Sequence, residues 1–247
     1  MYHYHYMKIK NIYSPNFNIK ERASNSIKFI VLHYTGMQSE RVSIKRLTSK
    51  SSKVSSHYLI NRKGKIIKMV DEKNIAWHAG KSKWKNIKNL NNYSIGIELV
   101  NKGHKFGYQS FTSAQISQLI SLCRVLIKKY KINKKNILGH SDIAPLRKTD
   151  PGEKFPWFYL SNKGVGSYYK NIKNNKIKKV NRTIIRKYFF NNLYKIGYRY
   201  FFKNKNINSD SKIIKAFQRR YRQNKVDGLI DSECLKISTF LLKNFKN

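Results

Sequence analysis

Short apolar runs rich in β-branched residues, each closed by a turn, recur along this chain and restrict it to few architectures. "IKFIVLHYTG" (27 to 36) and "YSIGIELV" (93 to 100) read as buried strands, and "SSHYLINRKGKIIKMV" (55 to 70) as a hairpin about Arg62-Lys63-Gly64. Between these and a further strand, "NILGH" (136 to 140), lies "TSAQISQLISLCRVLIKKY" (112 to 130). There Ile116, Leu119, Ile120, Cys123 and Leu126 or Ile127 recur at helical spacing behind a Thr112 N-cap. Strands interleaved with helices predict an α/β domain built on a central mixed β-sheet flanked by helices.

The texture changes near residue 170, where "KNIKNNKIKKVNR" is polar and basic. Beyond it, "TIIRKYFFNNLYKIGY", "DSKIIKAFQRRYRQ" and "SECLKISTFLLKNF" carry helical apolar spacing, the last two flanking the turn "NKVDGLID". The expected organisation is an N-terminal extension (1 to 24), a main domain (25 to 170), a basic linker (171 to 182) and a small C-terminal three-helix module (183 to 247). His3 and His5 have a spacing open to metal binding, but their setting reads as a tail.

Fifty-two Lys and Arg against 12 Asp and Glu give a formal charge of +40, which attracts polyanions: nucleic acid, acidic headgroups or an anionic wall polymer. The lysines are spread along the chain among Ile and Asn, a compositional drift rather than one recognition helix. "KYFFNNLYKIGYRYFFKNK" (187 to 205) sets aromatics beside cations, as a base-stacking surface would, but a helix packing its Phe and Tyr inward accounts for it. Nucleic acid is therefore not expected as the primary partner. Cys123 and Cys234 sit on apolar helical faces and read as buried free thiols. No run approaches the roughly 18 apolar residues of a membrane span, and "MYHYHYMKIKNIYSPNF" has no apolar signal core.

With so few carboxylates, context is informative. Glu98 interrupts Ile95, Gly96, Ile97, Leu99 and Val100, placing an acid against apolar surface unless a cavity or cation receives it. His33 and His140 end apolar strands, and Asp150 follows ten residues after the second on a loop stiffened by Pro145, Pro151 and Pro156. Two such histidines and an aspartate make a three-donor zinc site that leaves a position for water. On spacing alone, His57 and His78 compete as ligands, and no compact HExxH motif occurs.

In order, "FIVLHYTG", "SSHYLI", "AWHAG", "NYSIGIELVN" and "GHSDIAPLRKTDPGEKFPW" resemble the zinc-dependent N-acetylmuramoyl-L-alanine amidases, which share their fold with peptidoglycan recognition proteins. "IIKAFQRRYRQNKVDGLIDSECLK" is similar to the repeat of a helical peptidoglycan-binding module, departing from it where Ser232 to Cys234 replace a usual Gly and Thr. The resemblance implies that His33, His140 and Asp150 hold one Zn2+ per chain. It implies further that Glu98 positions or deprotonates a metal-bound water, and that Lys148 faces the substrate carbonyl. His57, Trp77, His78 and Arg147 would line the substrate cleft. The implied reaction cleaves the amide between N-acetylmuramic acid, or its 1,6-anhydro form, and L-alanine in peptidoglycan or muropeptide fragments. A non-catalytic recognition protein on the same fold is the alternative; such proteins typically lack a zinc ligand, whereas all five residues are present here. A wall-binding module favours the periplasm or cell envelope, while the unreadable export signal favours the cytoplasm.

Overall fold

The computed structural model describes residues 8–169, 182–201 and 207–245. His3, His5 and all of the expected linker except Arg182 lie outside the described residues. Ten strands are described: β1 (Ile9–Asn11), β2 (Phe17–Asn18), β3 (Phe29–Tyr34), β4 (Tyr58–Ile60), β5 (Ile66–Lys68), β6 (Ile75–Ala76), β7 (Lys83–Trp84), β8 (Ile87–Lys88), β9 (Ser94–Leu99) and β10 (Ile137–Gly139). Six form one mixed sheet in the order β1-β5-β4-β9-β3-β10, and the remaining four make two short ribbons. Within the sheet β4 and β5 run antiparallel as the expected hairpin, while the other neighbouring pairs are parallel. The hairpin turns at Gly64, whose φ of +81° suits glycine, and Asn61 Oδ1 accepts the Lys63 and Lys65 amides. Residues read as an N-terminal extension supply β1, the edge strand beside β5.

Seven α-helices are described: α1 (Glu40–Thr48), α2 (Ser113–Tyr130), α3 (His140–Ile143), α4 (Trp157–Asn162), α5 (Arg182–Ile196), α6 (Ile207–Tyr221) and α7 (Ser232–Phe245). Helix α2 starts as its sequence indicates: Thr112 Oγ1 accepts the Gln115 amide while Gln115 Oε1 accepts the Thr112 amide. Its buried stripe, Ile116, Leu119, Ile120, Cys123 and Leu126, covers one face of the sheet against Ile30 and Leu32 of β3 and Ile95, Ile97 and Leu99 of β9.

Strand β3 is buried on both faces, so its alternate residues need a second cover. That cover is the C-terminal bundle. Phe29 and Val31 of β3 and Leu138 of β10 share one continuous core with Phe189 and Leu193 of α5 and Phe217 of α6. The expected helices are present, but they share the sheet's own hydrophobic core. Each such Phe or Leu, fully buried, contributes about 1.5 to 3 kcal/mol relative to an exposed one. Phe189, Phe190 and Tyr198 of the 187 to 205 stretch pack inward as expected, whereas Tyr188 and Tyr194 of the same stretch are exposed. Within the bundle, Gln218 of the Ala-Phe-Gln motif accepts the Gly228 amide (2.8 Å) and donates to Asp227 (2.8 Å), tying α6 to the Asp-Gly turn. Cys123 and Cys234 are free and buried. No helix among the described residues is long and apolar enough to cross a membrane.

Candidate metal centre and active-site cleft

The parallel strands β9, β3 and β10 deliver the site at their carboxyl ends. Parallel register sets His33 beside Glu98 and Leu32 beside Gly139, so His140, the next residue, emerges next to His33. Strand β9 alternates two kinds of residue. Ile95, Ile97 and Leu99 face α2, and Ser94, Gly96 and Glu98 occupy the positions between them, in register with Phe29, Val31 and His33.

His33 Nδ1 and His140 Nδ1 lie 2.9 Å apart, and each is 3.0 Å from Asp150 Oδ2. All three residues are buried, and together they form a group able to hold a metal ion. The loop from His140 to Asp150 is closed on itself, because the Ser141 amide donates to the Asp150 carbonyl (2.9 Å).

Hydrogen bonds assign the imidazole protons. The Ser94 hydroxyl donates to the Leu90 carbonyl (2.6 Å), so its oxygen is left to accept from His78 Nε2 (3.2 Å). His78 Nδ1 is then bare and accepts the His33 Nε2 proton at 3.0 Å, which leaves His33 Nδ1 without a proton. His140 Nε2 donates to the Ala79 carbonyl (3.0 Å), so its Nδ1 is bare as well. Burial, and then the neighbouring His140, hold the His33 imidazole down to about 4, so it is neutral near pH 7. Two bare ring nitrogens and a carboxylate oxygen therefore converge with no proton among them. Such a donor set fits a cation.

Glu98 is partly open to the cleft, but its Oε2 atom is buried with no hydrogen-bond partner. Burial first, and then Asp150, push its carboxyl up to about 8, against the pull of Lys148. The cleft above these groups, about 510 Å³, is lined by Trp77, His78, Arg147 and Lys148, with Arg46 and Lys105 adding positive charge to its walls. Arg147 Nη2 is anchored on the Ala79 carbonyl, the atom that also receives His140.

His57 is placed differently from the expectation. It is fully buried, and its surroundings explain why it is no ligand: Nδ1 accepts the Gly96 amide (3.0 Å), and Nε2 faces Arg22 Nη2 (3.0 Å) and the Asn74 carbonyl (3.2 Å). Burial, and then Arg22, hold its imidazole down to about 3. His78 does line the cleft, but both of its ring nitrogens are engaged, with His33 and Ser94. Gly96 makes room for it, since a Cβ there would sit 2.4 Å from the His78 ring. Sequence reasoning missed Ser94 as a support, although the Ser-x-Gly-x-Glu alternation in "YSIGIELV" was the available signal, whereas Asp142 in "HSDIAP" reads from the sequence as the cap of a turn or the residue that orients the loop. Asp142 Oδ2 accepts the Gly139 amide at 2.7 Å and so caps the turn that begins with His140.

Residues 23–153 match the family model described as N-acetylmuramoyl-L-alanine amidase. N-acetylmuramoyl-L-alanine amidase AmiD of Escherichia coli (strain K12) is 42% identical over 154 residues, a match covering 58% of this chain and 55% of that protein. The match thus spans only about half the length of this relative. The 1,6-anhydro-N-acetylmuramyl-L-alanine amidase AmpD of Haemophilus influenzae is 36% identical over 172 residues, covering 62% of this chain and 91% of that one. Among solved structures, the complex of E. coli AmiD with anhydro-N-acetylmuramic acid-L-Ala-D-gamma-Glu-L-Lys superposes with a TM-score of 0.80 at 32% identity. It covers 92% of this chain and 93% of that chain. Sheet topology, the converging donors and these matches agree that the chain belongs to the N-acetylmuramoyl-L-alanine amidase family.

Proposed function

We propose that this protein is a zinc-dependent amidase that hydrolyses the bond between the lactyl group of N-acetylmuramic acid, or of its 1,6-anhydro form, and L-alanine. The observation that carries the reading is the convergence of His33 Nδ1, His140 Nδ1 and Asp150 Oδ2 beside an unpartnered, cleft-facing Glu98. The named substrate of the AmiD complex supports the choice of bond.

In this reading His33, His140 and Asp150 hold one Zn2+. The chemistry supplied by a bound zinc is Lewis acidity, which lowers the pKa of water from 15.7 to about 7 and polarises a carbonyl. Glu98 accepts a proton from the attacking water and passes it to the departing alanine nitrogen as the C–N bond breaks, leaving a lactyl carboxylate and a free amine. A carboxyl shifted toward neutrality by burial is suited to both halves of that transfer. Lys148, on the cleft wall, stabilises the developing oxyanion. Arg46, Lys105 and Arg147 present positive charge to the carboxylates of the stem peptide, and Trp77 and His78 shape the cleft.

The test is release of free stem peptide from purified muropeptides, followed by mass spectrometry with and without a zinc chelator and in Glu98→Ala. Chelator-sensitive release that is lost in the variant supports the reading. Zinc-replete protein that binds muropeptides without cleaving them overturns it in favour of a recognition protein.

A further inference from the structure

We propose that the C-terminal bundle is part of the metal site's scaffold, with Tyr198 and Arg220 as positioning residues that hold His140 in place through Asp142. Asp142 is two residues beyond His140 and almost fully buried. Its carboxylate receives three donors: the Gly139 amide at 2.7 Å, the Tyr198 hydroxyl at 2.6 Å and the Arg220 guanidinium. The first donor belongs to the strand that delivers His140, and the other two come from the bundle.

Arg220 makes further contacts with the same segment. Its Nη2 donates to the Ile137 carbonyl (2.9 Å), at the start of β10, and its guanidinium lies 4.3 Å from the centre of the Trp157 ring. Its neighbours extend the grip: Arg219 faces Glu153 at 3.7 Å, and Gln223 donates to the Phe155 carbonyl at 2.6 Å. The end of α6 and the residues after it thus grasp the 137 to 157 stretch before, between and after the donors His140 and Asp150. Tyr198 is locked from behind, its ring edge-on to Trp84 at 4.9 Å, and the preceding Gly197 carbonyl accepts the Lys85 amide (2.8 Å). A group that orients a metal donor typically changes metal affinity about 10 to 100-fold when lost.

This inference rests on the zinc reading above, and the experiment separates the two. Zinc affinity is measured by chelator competition in the full chain, together with the visible absorption spectrum of the cobalt-loaded protein. The proteins compared are wild type, Tyr198→Phe, Arg220→Met, Arg220→Lys and the bundle-core variant Ile237→Ala. The expected result is zinc binding weakened about tenfold or more in Tyr198→Phe and Arg220→Met, with an altered cobalt spectrum. Arg220→Lys recovers part of the affinity, and Ile237→Ala lowers the melting temperature while leaving affinity and spectrum unchanged. Wild-type affinity and spectrum in a folded Tyr198→Phe protein would overturn the proposal while leaving the zinc reading intact; that variant loses one hydroxyl and keeps the fold even if Arg220→Met does not. A wild-type protein that binds neither metal overturns both.

Discussion

His33 and Glu98 stand side by side in register on adjacent parallel strands, one a bare-nitrogen donor and the other a half-buried acid whose Oε2 has no hydrogen-bond partner. On the proposed reading this pairing separates holding a metal from moving a proton, and the two roles are expected to be separable by mutation. Glu98→Gln keeps the shape of the side chain and removes the base. Zinc stoichiometry is expected to stay at one per chain while turnover of muropeptide falls by about 10² to 10⁴-fold. Metal analysis and a mass-spectrometric rate assay on the same preparation check this.

The proton arrangement of His33 depends on a chain that ends at the Ser94 hydroxyl. Ser94→Ala removes the acceptor that fixes His78, and Gly96→Ala drives a methyl group into the His78 ring. Both variants are expected to weaken zinc binding about 10 to 100-fold, the usual effect of losing an outer-shell partner. Competition with a chromophoric chelator measures it. Unchanged affinity in both would mean that His33 keeps its orientation without His78.

Acid should destabilise the metal-free protein early, and His57 is one source. Its imidazole falls from an ordinary 6.5 to about 3 on folding, so the unfolded chain binds the proton first as pH drops. The stability this group supplies is complete above pH 6.5 and is lost progressively toward pH 3. At pH 5 the loss from this residue is about 2 kcal/mol. His57→Gln, which retains an acceptor for the Gly96 amide, should show a shallower decline between pH 7 and pH 5 in urea denaturation.

Because the bundle and the sheet share one core, they should unfold together. Leu193→Ala, in α5, is expected to cost about 2 to 5 kcal/mol and to lower the melting of the whole chain. Calorimetry decides the matter. Two resolved transitions, with only one shifted by the substitution, would show that the shared core does not couple the two parts.

The elements legible in the sequence were those whose signals are local. Helix α2 carried its cap and its stripe within one window, and the hairpin carried Asn61 and Gly64 at its turn. The donors His33, His140 and Asp150 stood out because strand ends and a proline-rich loop are unusual places for them. Strand β1 was missed since all three of its residues are exposed and show no alternation, and α1 since it buries only Ser43 and Leu47. The separate fates of His57 and His78 were illegible because Arg22, 35 residues before His57, decides the first. The clasp on Asp142 was illegible for the same reason: its partners lie 56 and 78 residues further along the chain.

That separation along the chain also sets an order of assembly during synthesis. His33 leaves the ribosome 107 residues before His140 and 117 before Asp150, so the donors cannot meet until most of the sheet has been made. Arg220 follows 78 residues after Asp142. On the zinc reading, a nascent chain that has just exposed Asp150 owns every donor but not yet the guanidinium proposed to steady them, so metal loading is expected to come late in synthesis.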